Sequence, residues 1–286
     1  MSGRDSADLA VRALRRLAAP ISPRRAPFTC DLSVDELVLV ERAGLEPVKL
    51  VMGTCVVSVL RRPISRTGEL RHATNAIYRA RRLAVEDLRR EAAGVGAHGV
   101  VGVRVEVDEE RWGEDLHEFV ALGTAVRSRT GSLRTGGAPF TSHLSGQGVH
   151  ALLAAGYRPL SLVMGAAVWG VSRWDSAAWL SAPRRRRVEY PEMTREIATA
   201  RELAIRRMGV EARAVRAAGV VGMTIEQRSH TWGGDAMEFV ALGTAIRSGD
   251  VRPSGPRPRA VVSLDAASPR AAEIRVDVEP LRRLDN

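Results

Sequence analysis

The chain has 286 residues, 45% of them hydrophobic, with a formal charge of +10 and two cysteines. That length and composition fit a globular protein with room for two cores and exclude a disulfide framework. The longest uncharged stretch, Pro159 to Ser172, is too short to cross a bilayer as a helix, and the N-terminus lacks the apolar core of a secretory signal, so a cytoplasmic protein is expected.

In chain order, residues 1–27 form an arm with six arginines against two aspartates. Val11, Leu14 and Leu17 or Ala18 could line a short basic amphipathic helix resembling a transit peptide, but a loosely held arm is the simpler expectation. Ser33 and Glu36 have the spacing of a capping box, so a helix is predicted from Val34 to Ala43, stopped by Gly44 with Pro47 beyond. The apolar stretch Val48 to Leu60 then reads as a long strand with a bend or bulge at Gly53. Ile77, Ala80, Ala84, Leu88, Ala92 and Val95 form one stripe of a second helix over about 75–95. Beyond Gly99, Val101, Val103, Val105 and Val107 alternate as a half-buried strand, and a last strand is expected from His117 to Arg127. The segment 130–139 is a Gly/Ser/Thr-rich linker.

Much of this then recurs. Phe28, Leu32, Gly44, Pro47 and Leu50 to Gly53 return 112 positions later as Phe140, Leu144, Gly156, Pro159 and Leu162 to Gly165. Val100 to Gly102, Trp112-Gly113, Asp115 and Glu118 to Ala125 return 120 positions later as Val220 to Gly222, Trp232-Gly233, Asp235 and Glu238 to Ala245. The eight extra residues must lie around Trp174 to Pro191, where Arg184, Arg185, Arg186 and Arg187 run together. In copy two Gly148 replaces the box glutamate, which predicts a weaker cap. The chain thus reads as module 1 over 28–129, module 2 over 140–248, and a Pro/Arg-rich tail from 249. Each module is an α+β unit with a small, largely antiparallel sheet covered by helix, and its open sheet edges predict that modules pair within or between chains.

The ordered strings Ala80-Arg81-Arg82-Leu83-Ala84, Gly96-Ala97-His98-Gly99-Val100-Val101-Gly102 and Gly123-Thr124-Ala125-Val126, repeated in copy two as Ala200 to Ala204, Ala217 to Gly222 and Gly243 to Ile246, resemble the YbjQ-like family, named for heavy-metal binding. The resemblance implies a dodecin-like α+β subunit that assembles into rings, commonly fivefold, with one module per subunit. Here two modules are fused, so the ring order does not carry over.

The family name also implies a metal, and a site intrinsic to the module should occur twice. No soft-ligand set does: Cys30 and Cys55 become Ser142 and Ala167, His98 becomes Ala218, His117 becomes Met237, and Glu110 becomes His230. The acids Asp115 and Glu118 with Asp235 and Glu238 do recur and could take a hard cation; the alternative is ion pairing with Arg127 or Arg247. Trp112 and Trp232 are expected to plug a core or subunit contact, with ligand stacking as the other option. Gly94, Gly96 and Gly99 follow a helix and precede a strand, the reverse of a dinucleotide-binding turn. No nucleophile elbow or phosphate loop is present. The expectation is a non-catalytic homo-oligomer binding a metal ion or small ligand. The alternatives are a polyanion or nucleic-acid contact through the arm and Arg184–Arg187, and a purely structural scaffold.

Overall fold

The computed structural model describes residues 28–59, 64, 67–108, 116–130, 133, 137–171, 191–230 and 235–249. Trp112, Asp115, Trp232, the Arg184–Arg187 run, the arm and the tail beyond Gly249 lie outside these residues.

Helix α1 (Val34–Arg42) is capped as expected: Ser33 Oγ accepts from the Glu36 amide at 3.3 Å, and Glu36 Oε2 accepts from the Ser33 amide at 2.9 Å. Gly44 follows in the left-handed region at φ 76°. Strand β1 (Leu45–Ser58) runs straight through Gly53, which pairs with Ala121; its irregularity lies instead between Pro47 and Lys49, where proline has no amide to offer. Gly53 serves a different need. A Cβ there would lie 2.1 Å from the Ala84 carbonyl oxygen, so the glycine lets a helix backbone rest on the strand.

After the two-residue strand β2 (Gly68–Glu69) comes helix α2 (Arg71–Gly94), which begins four residues before the predicted start and without a side-chain cap. Strands β3 (Gly99–Asp108) and β4 (Leu116–Ser128) complete module 1. The predicted valine alternation in β3 is broken by a bulge at Gly102 (φ 65°), which puts Val100 and Val103 in one core, while Val101 is buried in another with Phe140. Module 2 repeats the plan with β5 (Phe140–Thr141), α3 (Gly146–Ala154), β6 (Tyr157–Val171), α4 (Pro191–Ala214), β7 (Gly219–His230) and β8 (Asp235–Ser248). Bulges at Pro159/Ser161 and Val221/Thr224 and positive φ at Gly156 and Gly222 match those of module 1. In α3 only the Ser145 half of the cap remains, accepting from the Gly148 amide at 3.2 Å.

Each module supplies three antiparallel strands, in the orders β1-β4-β3 and β6-β8-β7, and each sheet gains a fourth strand from the other module. Strand β5 lies parallel to β3, Gly99 opposite Phe140. Its continuation adds bonds from the Val103 amide to Ser142 O at 2.9 Å and from the Gly102 amide to Leu144 O at 3.1 Å. In the other direction, β2 adds antiparallel to β6, Glu69 opposite Trp169. The modules therefore exchange edge strands, which covers one edge of each sheet.

Helix α2 lies between both sheets. Its Ala73, Ile77, Ala80, Ala84, Val85 and Leu88 share one core with Val51, Phe119 and Ala121 of its own sheet and with Leu162, Met164, Ala166 and Val168 of β6. Helix α4 covers the inner face of module 2 through Ala200, Ala204, Met208 and Ala212. A third cluster joins Val40, Leu45, Val101 and Val126 to Phe140 and Val149 of module 2.

Candidate functional site

The repeated glutamates lead to the junction between the modules. Glu238 stands on β8, opposite Val168 of β6, with its side chain 2% exposed. Across the junction, Arg81 of α2 is equally buried, and its Nη1 donates to Glu238 Oε1 in an ion pair. The guanidinium also lies over the Phe119 ring, 5.0 Å from its centroid. The second oxygen of Glu238 meets His230 Nε2 at 3.0 Å, and the His230 ring stands edge-on to His117 of module 1, with centroids 6.5 Å apart. Burial alone would push the Glu238 carboxyl up; the facing Arg81 charge and the His230 and Arg81 hydrogen bonds outweigh it and hold the group down at about 2.

The partner of Glu238 is thus an arginine 157 positions away in the other module, not Arg247. Arg127 donates to the Val95 and Gly96 carbonyls at the end of α2, at 3.0 and 3.3 Å. Glu118, the counterpart of Glu238, is half-buried on β4, opposite Val56 of β1. Asp235 begins β8, while Asp115, Trp112 and Trp232 lie outside the described residues, as do Arg184, Arg185, Arg186 and Arg187.

Other bonds tie the junction. Tyr78 Oη donates to Glu211 Oε1, which raises the phenol above its ordinary range through burial and the adjoining carboxylate. Glu211 Oε2 accepts from the Met164 amide at 2.7 Å, as Glu91 Oε2 does from the Met52 amide in module 1. These two glutamates are a second repeated acid pair that the sequence reading passed over; their shared displacement of 120 was the available signal. Glu69 pairs with Arg207 at 2.7 Å, and Thr74 Oγ1 accepts from the Val168 amide at 2.9 Å.

Chemically, the junction is a buried polar network inside an apolar interface, in which Arg81 Nη2 has no hydrogen-bond partner among the described residues. Among the described residues no group of three or more His, Cys, Asp or Glu is placed to hold a metal. Cys30 and Cys55 are free and half-buried, and burial raises the Cys55 thiol. A shallow cleft of about 170 Å³, lined by Ala43, Ser128, Leu133, Leu153, Tyr157 and Arg158, also lies between the modules. It is smaller than the roughly 300–1,000 Å³ of ordinary small-molecule sites. No helix among the described residues is long and apolar enough to cross a membrane.

The chain is 38% identical over 234 residues to the encapsulin nanocompartment protein Rv1762c of Mycobacterium tuberculosis, an alignment covering 79% of this chain and 88% of that one. The YbjQ-like family, described as "Putative heavy-metal-binding", matches residues 48–129 and again residues 186–248. With the same helix, bulge and strand order built twice over those segments, the chain belongs to the YbjQ-like family, as a tandem member carrying two copies of its domain.

Proposed function

We propose that this chain is a non-catalytic assembly protein, in which the YbjQ-like domain serves protein docking, and that it is a component of an encapsulin-type nanocompartment. The observation that carries this reading is the use made of Glu238. One of the two repeated glutamates, the residue with the right chemistry and recurrence for a cation ligand, has both oxygens taken by Arg81 and His230 at a buried module junction. A carboxylate so held has little left to offer a metal, whereas a buried, hydrogen-bonded ion pair fixes one docking geometry. The relative's description as an encapsulin nanocompartment protein supports the wider assembly.

Mass photometry of the purified chain, with metal content measured on the same sample, tests the reading. The expected result is a species well above 31.0 kDa with no stoichiometric metal. Co-expression with an encapsulin shell protein should place the chain in the shell fraction. A metal bound at one per module and lost in the Glu118→Gln/Glu238→Gln chain would instead support the family's heavy-metal description, with these acids as ligands. Binding to nucleic acid that weakens steeply with salt would favour the arginine-rich segments as a polyanion contact.

A further inference from the structure

Because the two modules are copies, the joint between them has two halves that also occur elsewhere on the chain. The half contributed by module 2 is the outer face of β6 with the segment 140–144; its copy on module 1 is the outer face of β1 with residues 28–32. Module 1's own half is α2 with the edge of β3, and its copy is α4 with the edge of β7. Among the described residues, the second member of each set is more exposed than the first.

Exposure shows the difference. Leu162, Met164 and Val168 are 6%, 2% and 0% exposed, while their counterparts Leu50, Met52 and Val56 are 38%, 55% and 48% exposed. Val103 is buried in the joint, whereas its counterpart Met223 is exposed, and Arg81 is buried where Arg201 is exposed. These three exposed apolar side chains share one strand face, with only Thr54 between Met52 and Val56, a concentration of the kind that marks an interaction site.

The complementary shapes are also present. Phe140 packs on Gly99 so closely that a Cβ there would lie 2.1 Å from the ring; at Gly219, the counterpart, the same position opens on empty space with no positive φ to require glycine. The side chain that would fill it is the counterpart of Phe140, the exposed Phe28. At the helix contact, Glu36 and Val40 of α1 press on Gly146, a large residue against a small one. In the copied halves the sizes are reversed: Gly148 stands at the position of Glu36, and Val34, 78% exposed, at that of Gly146. The ion-pair residues recur as Arg201 and Glu118, and the parallel strand contact has its donor edge at 219–223 and its partner at 28–32. Not every bond recurs: Ala198 replaces Tyr78, and Glu110 stands at the position of His230.

We infer that a second copy of this chain docks by repeating the internal joint: the outer face of β1 with residues 28–32 of one chain seats on α4 and the edge of β7 of the next. This rests on the assembly reading above and adds which faces meet. The contact is head-to-tail, so it propagates from chain to chain and closes into a ring if the rotation per chain allows.

Two substitutions test it on the full chain by mass photometry, with circular dichroism as the check on folding. Met52→Glu places a charge in the centre of the β1 face; Gly219→Phe fills the slot meant for Phe28. Each variant alone is expected to lose the assembled species and run as a single chain of 31.0 kDa with an unchanged spectrum. Each keeps one intact face, so an equimolar mixture is expected to form a complex of two chains and stop there. Two single-chain variants that fail to combine would overturn the head-to-tail joint. A wild-type assembly whose mass neither variant changes would place the interface elsewhere, overturning this inference and leaving the assembly reading intact. A wild-type chain at 31.0 kDa would overturn both.

Discussion

Glu238 and Arg81 are each 2% exposed, so neither can return to water if its partner is removed. Arg81→Ala or Glu238→Ala is therefore expected to cost about 3–5 kcal/mol in a urea titration, while exchanging both for well-packed apolar residues should cost far less. The pair also sets an acid limit. A carboxyl held at about 2 in the folded chain and at about 4 when unfolded contributes stability that is complete above pH 4 and is lost as pH falls from there through 2. An unfolding midpoint followed between pH 5 and 2 should fall across that window, and the fall should be smaller in Glu238→Gln. The recurrence of Glu118 and Glu238 was legible in the sequence, as was the ion-pair alternative to a cation. The identity of the partner was not, because only a folded chain brings Arg81 and Glu238 together across 157 positions.

Helix-on-strand contact at glycine is the recurring device at the level of elements. At Gly53 and Gly165 a Cβ would lie 2.1 Å from the backbone oxygen of Ala84 or Ala204. Because that obstacle is backbone, Gly53→Ala and Gly165→Ala are each expected to destabilise by about 1–3 kcal/mol in chemical denaturation. Gly94, at the end of α2 with open space around it, should behave oppositely, Gly94→Ala gaining up to about 1 kcal/mol. The long helices and strands could be read from their periodicities, and the α1 cap from Ser33 and Glu36. Strands β2 and β5 could not: two residues carry no period, and their pairing depends on the opposite module. The β3 alternation misled for a related reason, since one glycine at φ 65° shifts which valines face inward.

For the whole molecule, the shared core decides how the modules unfold. Leu162, Met164, Ala166 and Val168 belong to the same cluster as Ala73, Ile77 and Ala84 of module 1, so opening either module breaks that shared core, although the cluster under α4 belongs to module 2 alone. Equilibrium unfolding is expected to be one transition, with tryptophan fluorescence and far-ultraviolet circular dichroism giving coincident midpoints; two resolved steps would show that the modules are energetically independent.

The same helix has a history before the chain is finished. As the chain is synthesised, α2 is complete at Gly94, but the strand that covers its second face ends only at Val171. At about 5–20 residues per second that leaves on the order of 4–15 s in which one side of the helix faces water, and ~7–29 s before Glu238, the carboxylate that Arg81 pairs with, has been made. A nascent module 1 offers in that interval the surface that another chain's β1 face could occupy. Fusing two modules on one chain keeps the rightful occupant close behind, so the ten-residue connection 130–139 acts as a safeguard against partnering with the wrong copy.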